Sequence, residues 1–120
     1  MAFGEIALVA VPGEPTTIAG RRLRQSISAR LETIGVTHTI VAGFANAYAG
    51  YVTTHQEYAV QAYEGGSTHF GSWTLAGFQT RYDKLAQQLT QDELPEPAGI
   101  GIPPYVASPE ELYFRRYELA

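Results

Sequence analysis

At 120 residues the chain has room for one domain and not for two, and folding alone would bury roughly two-thirds of the surface its unfolded form exposes. Hydrophobic residues at 45% and charged residues at 17% exclude a disordered segment, and a net charge of −4 with scattered Lys and Arg argues against a nucleic-acid partner. The absence of cysteine removes disulfides, thiolate catalysis and cysteine metal ligands, so any metal must use His, carboxylate or an unusual ligand.

No stretch approaches the roughly 20 apolar residues of a membrane span, so no transmembrane segment is expected, and the first residues lack the order of a signal peptide. Residues 5–11, EIALVAV, form a short apolar run closed by Pro12 and Gly13, which predicts a buried strand. After Thr16 and Thr17 as N-caps, Ile18, Leu23, Ile27, Leu31 and Ile34 mark one face of a helix, and Gly35 stands where a C-terminal cap would. Residues 37–44, THTIVAGF, suit a second strand, and the helix between makes a parallel βαβ crossover the natural reading.

The NAYAGYVTT segment has no clear periodicity, but Thr54-x-x-Glu57 has the form of a capping box and predicts a short helix over about 54–62. YEGGSTHFGS reads as a loop. A longer helix from about Ser72 to Gln91 follows, with Leu75, Phe78, Tyr82, Leu85 and Leu89 as its buried face. Residues 1–93 thus form the body of the chain. Four prolines and two glycines between Leu94 and Pro104 mark 94–107 as a linker or tail, and Ser108-Pro-Glu-Glu111 opens a short terminal helix within 108–120. The fold class expected is α/β, a small mixed or parallel sheet with flanking helices.

Two segments are candidates for chemistry. Glu14 follows a buried strand at a Pro/Gly turn leading into a helix, a place where α/β proteins build sites, although by itself it fits a solvated turn residue better. The second is a run holding Tyr48, Tyr51, Tyr58, Tyr63, Phe70 and Trp73 with His55, Glu57, Glu64 and His69. A tyrosine ring packs while its hydroxyl donates a hydrogen bond, or binds metal once deprotonated; ordinary packing accounts for most of this cluster. No HExxH, glycine-rich phosphate loop or GxSxG is present. Arg21, Arg22 and Arg24 suit solvation or pairing with carboxylates better than an anion site.

At these two segments the sequence resembles the neutral/alkaline (non-lysosomal) ceramidase family. IALVAVPGEPTTIAGRRLR is similar to the family's strand-turn-helix pattern, an apolar run followed by PGE, two threonines and GRR. NAYAGYVTTHQEYAVQAYEGGSTHFGSWTL resembles its N-x-Y-x-x-Y-x-T-T-x-x-E-Y-x-x-Q-x-Y-E-G-x-S-T run. The resemblance extends over about residues 3–90 and suggests the C-terminal part of the catalytic domain, a piece of a larger layered αββα-type domain.

What the resemblance implies is a zinc amidohydrolase that cleaves the amide bond of ceramide to sphingosine and a fatty acid. In that family one zinc ion is held by two histidines from earlier in the chain, the PGE glutamate and the tyrosine before the T-T pair; here these last two are Glu14 and Tyr51. A further tyrosine, corresponding to Tyr63, is implied to contact the scissile carbonyl. His38, His55 and His69 do not fall in the family's histidine motifs, so the missing ligands are expected from an upstream ceramidase segment, and whether the chain acts as an enzyme turns on that segment. Two ligands rarely hold zinc in place of three or four, so the isolated chain is expected to be inactive. Pro15 departs from the family pattern beside the ligand glutamate. The rival reading is a shortened, non-catalytic homologue acting as a structural or interaction module. Uncovered apolar faces would favour self-association, and the resemblance implies a secreted or extracellular setting.

Overall fold

Alternation through the first apolar run sets the sheet, because successive residues of a strand point to opposite faces. In the computed structural model, which describes residues 1–93, 106 and 108–114, strand β2 (Ile6–Ala10) turns Ala7 and Val9 into the core. Strand β1 (Ala2–Phe3) pairs with it antiparallel. Strand β4 (His38–Ala42) lies parallel on its other side, in a register running from Ile6 opposite His38 to Ala10 opposite Ala42. The expected crossover is present, and β1 makes the sheet mixed, in the order β1-β2-β4.

Helix α1 (Thr17–Glu32) forms that crossover. Its buried face is Ala19, Leu23, Ile27 and Leu31, one residue every four. Ile18 and Ile34, expected on that face, are 39% and 40% exposed. Thr16 is the N-cap, its Oγ1 accepting from the Ala19 amide at 3.1 Å, and this phase puts the small Ala19, rather than Ile18, against the sheet. At the other end Gly35 adopts φ +84° while Val36 N donates to Leu31 O (3.3 Å) and Gly35 N to Glu32 O (3.0 Å). These two bonds make a Schellman closure that glycine permits without Cβ strain, and buried Val36 and Leu31 supply its apolar contact.

Helix α4 (Thr74–Thr90) packs on α1 through buried Leu75 and Ala86 with half-buried Phe78 and Tyr82; Leu89, expected in that face, is exposed. The Tyr82 hydroxyl donates to Ala10 O, which ties α4 to the sheet end. Arg30 Nε and Nη2 reach Asp83 at 2.8 and 3.0 Å across the same helix pair. Both helices cover one face of the sheet, while Ile6 and Ile40 on the opposite face remain 45% and 51% exposed.

Four small elements complete the body. Two-residue strands β3 (Glu14–Pro15) and β5 (Tyr51–Val52) pair parallel to each other apart from the main sheet. Helix α2 (His55–Val60) starts at the expected capping box, with Thr54 Oγ1 accepting from Glu57 N at 3.1 Å and Glu57 Oε2 from Thr54 N at 2.8 Å. Part of the expected YEGGSTHFGS loop is helical instead, as α3 (Tyr63–Gly66). Its glycines do not break this single turn because it is pressed against α2: a Cβ on buried Gly65 would lie 2.9 Å from Glu57 O. Helix α5 (Pro109–Phe114) follows Ser108, whose Oγ accepts from Glu111 N at 3.2 Å. The expected 94–107 linker lies, Val106 apart, outside the described residues.

Candidate metal and acyl-transfer site

The turn after β2 and the segment after β4 meet along the short β3–β5 ladder. Glu14 N donates to Gly50 O and Thr16 N to Val52 O, both at 3.0 Å, so Glu14 stands directly opposite Tyr51 in the parallel register. This close crossing needs backbone without side chains. Gly50 sits at φ +86°, and a Cβ there would lie 2.5 Å from His69 Cδ2 and 3.0 Å from Ser67 O. Gly13 meets Gly50 O in the same way at 3.0 Å.

Residues opposite each other in parallel strands share a face, so the Glu14 carboxylate and the Tyr51 phenol converge. Hydrogen bonding with Glu14, then burial, pushes the Tyr51 phenol up to about 12, because a neighbouring carboxylate holds the phenolic proton and opposes a second negative charge. Tyr48 donates to Glu14 Oε2 at 3.2 Å, and burial followed by that same carboxylate raises its phenol as well. Tyr63 meets Tyr51 edge to face with ring centroids 5.7 Å apart, and it is 75% exposed at the head of α3. The three residues expected from the sequence thus stand together, and Tyr48, which sequence reasoning did not single out, joins them. Its partial signal was the Tyr48-x-x-Tyr51 spacing, which brings both phenols to one carboxylate only because the chain bends at Gly50.

A groove of about 520 Å³ opens beside the pair, lined among others by Glu14, Thr16, Tyr51, Glu57, Glu64 and Gly65. Two buried threonines pair with each other behind this segment. Thr68 spends its one hydroxyl hydrogen on Glu64 O at 2.8 Å, so across the 3.1 Å contact between buried hydroxyls Thr53 is the donor. Glu57 also reaches outside its own helix. Its Oε2 accepts from Thr16 Oγ1 at 2.8 Å in addition to the Thr54 amide. Burial opposes the charge on Glu57, but the Thr54 amide, the Thr16 and Thr54 hydroxyls and Arg22 outweigh it and hold the carboxyl below its ordinary range.

A carboxylate and a phenol on one face are oxygen groups of the kind that can bind a divalent cation. Two such donors are fewer than the three or four protein ligands a zinc site ordinarily uses. Among the described residues no three or more His, Cys, Asp or Glu side chains are grouped to hold a metal. The histidines serve elsewhere: His38 Nδ1 is 2.8 Å from Thr37 Oγ1, His55 lies against Trp73 with rings 5.1 Å apart, and His69 packs against Gly50. No helix among the described residues is long and apolar enough to cross a membrane.

The arrangement has relatives. Residues 1–80 match the family model described as neutral/alkaline non-lysosomal ceramidase, N-terminal. The chain is 46% identical over 89 residues to the neutral ceramidase of Pseudomonas aeruginosa, covering 74% of this chain and 13% of that protein. It is 48% identical over 98 residues to neutral ceramidase B of Dictyostelium discoideum, covering 81% of this chain and 14% of that one. A structure titled "Ceramidase complexed with C2" superposes with a TM-score of 0.80 at 42% identity, over 82% of this chain and 15% of that one. The crystal structure of the Pseudomonas aeruginosa neutral ceramidase agrees equally well, at 0.80 and 42% over 82% of this chain and 16% of that one.

The fold and the motif-bearing segments define a member of a hydrolase family seen in part. The chain belongs to the neutral/alkaline non-lysosomal ceramidase family, and it spans 13% and 14% of the length of the two curated relatives named above. The matched model is that of the family's N-terminal region, not the C-terminal part of the catalytic domain expected from the motifs, and the chain's place is corrected accordingly. The motifs themselves could not supply that position, because a motif reports local backbone and side-chain chemistry and not how the parent chain is divided.

Proposed function

We propose that the chain contributes the carboxylate–phenol half of a ceramidase zinc centre, with Glu14 and Tyr51 as two of its ligands and Tyr63 as a hydrogen-bond donor to substrate. The observation that carries this reading is the register of Glu14 against Tyr51, which sets carboxylate and phenol on one face of the ladder. Bound zinc supplies Lewis acidity and a water acidified toward neutrality.

Each residue of the chain then has a defined task. Glu14 brings the negative charge. Tyr51 keeps its proton at neutral pH while the site is free of metal, and would give it up to a cation bound at its oxygen, so that metal binding would be coupled to proton release. Tyr48 donates to Glu14 Oε2 and orients that carboxylate. Tyr63, exposed above Tyr51, has its hydroxyl available to the oxygen of a scissile amide, where one placed donor contributes about 3 kcal/mol to the transition state. The substrate in this reading is ceramide, cleaved to sphingosine and a fatty acid, as the relatives' name suggests.

Two donors fall short of a centre, so the remaining ligands come from another ceramidase segment and the isolated chain does not hydrolyse ceramide. Exposed Ile6, Ile40 and Phe44 support a role for such a partner, or for self-association in its absence. An extracellular setting belongs to the same reading and rests on family resemblance. The test is zinc titration by calorimetry, with the chain alone and with the rest of a ceramidase catalytic region supplied as a second polypeptide. Zinc held by the assembled pair, and weakened at least about tenfold by Glu14→Ala and by Tyr51→Phe, supports the assignment. Zinc binding indifferent to both substitutions overturns it, and metal-independent self-assembly without zinc binding favours the interaction module.

A further inference from the structure

The ladder carrying Glu14 and Tyr51 is too short to hold itself. Each strand has two residues, and an isolated two-stranded pairing is marginal in water even when much longer. Immediately past the ladder the two chain segments become the N-termini of α1 and α2, and there one carboxylate joins them. Glu57 Oε2 accepts from Thr16 Oγ1 and from Thr54 N, each at 2.8 Å. Thr16 is two residues beyond Glu14, and Thr54 three beyond Tyr51.

The hydrogen-bond roles are determined by chemistry. Thr16 Oγ1 accepts from Ala19 N, so its single hydrogen is free for Glu57; Thr54 Oγ1 accepts from Glu57 N. A capping box ordinarily satisfies only its own helix. Here its carboxylate also takes the N-cap hydroxyl of a second helix, and each helix presents the positive end of its dipole to the same anion. Arg22 on α1 adds to this by donating to Gln56 Oε1 at 3.0 Å, one residue before Glu57.

We propose that Glu57 is the positioning residue of the Glu14–Tyr51 pair: by bridging Thr16 and Thr54 it holds β3 and β5 in register, so that carboxylate and phenol face the same point. The proposal rests on the reading of that pair as two metal ligands. Glu57 acts in it through Oε2, which both helix N-termini engage, and is not one of the two assigned ligands.

Amide hydrogen exchange on the chain tests the bridge. In Glu57→Ala the Glu14 and Thr16 amides, which form the ladder, should exchange about tenfold faster or more, with a smaller change at Leu23 and Ile27 in the core of α1. Glu57→Gln should restore protection, because one amide oxygen can accept both donors that now share Oε2. If Glu57→Ala does not fold, Thr16→Val against Thr16→Ser serves instead, with loosening of the ladder expected in the first and not the second. In the two-polypeptide assembly, Glu57→Ala should also weaken zinc about tenfold to a hundredfold, with recovery in Glu57→Gln. Ladder amides unchanged in Glu57→Ala, or rising only in step with the core, overturn the proposal. The two readings fail separately. An assembly that holds no zinc while the ladder loosens as described sinks the metal assignment and leaves the bridge. Zinc lost on Glu14→Ala but untouched by Glu57→Ala, with the ladder intact, sinks the bridge alone.

Discussion

Glu14 and Tyr51 face each other across a parallel pairing of only two residues a side, and their acid–base chemistry is shared. That relationship makes the pair measurable in the metal-free chain.

The Tyr51 phenol, raised to about 12 chiefly by Glu14, should titrate well above ordinary tyrosines. The proton is bound more tightly in the folded state than in the unfolded one, so the associated stability is complete below about pH 10 and declines as pH rises from about 10 to 12. Tyrosinate absorbance, compared between the parent chain and Tyr51→Phe, reads the titration. Glu14→Gln should bring the Tyr51 transition down toward pH 10, and an unmoved transition would show that the carboxylate is not its cause.

Gly50→Ala should be among the most damaging single-methyl additions. The residue sits at φ +86°, and the added carbon meets His69 and the Ser67 carbonyl, a backbone atom that cannot step aside. A loss of about 1–3 kcal/mol in urea unfolding is expected. Ala at Gly77, where no atom lies within 4 Å of the added Cβ, should instead be neutral or slightly stabilising, as helix propensity favours alanine.

The α1–α4 contact offers a comparison of apolar and ionic terms. Leu23 is fully buried, and Leu23→Ala should cost about 2–5 kcal/mol. The Arg30–Asp83 pair has good fork geometry but lies at 39% and 43% side-chain exposure. A double-mutant cycle should return about 0.2–1 kcal/mol, falling with added salt. A larger coupling would mean that the pair is shielded from water in solution.

Tyr63→Phe separates catalysis from folding. The side chain is largely exposed, so unfolding should shift by less than about 0.5 kcal/mol. If Tyr63 donates to the oxyanion as proposed, the same change in an assembled, zinc-loaded ceramidase should lower kcat about a hundredfold or more while zinc affinity holds. Unchanged kcat would remove Tyr63 from the chemistry.

The elements legible from the chain are those whose signal is local. EIALVAV between Glu5 and Pro12, the four-residue ladder through Leu23, Ile27 and Leu31, and the Thr54–Glu57 box each carry periodicity or capping within a few residues, and β2, α1 and α2 formed where those signals stood. Strands β3 and β5 carried none, because two residues cannot show a period and their pairing depends on chain more than thirty positions away. The turn of α3 was hidden by glycines whose purpose is contact with α2. The roles proposed for Glu14, Tyr51 and Tyr63 came from family resemblance, and no local pattern would have supplied them.

Amino-acid order alone determined the parallel βαβ unit and its core, because burial of a periodic apolar face depends on near neighbours in the chain. Only the tertiary structure decided that Tyr48 bonds to the carboxylate that Tyr51 faces, and that Glu57, in the capping box of α2, also takes the N-cap hydroxyl of α1. Those contacts join segments brought together by the Gly13–Gly50 crossing, where the absence of side chains lets two backbones meet.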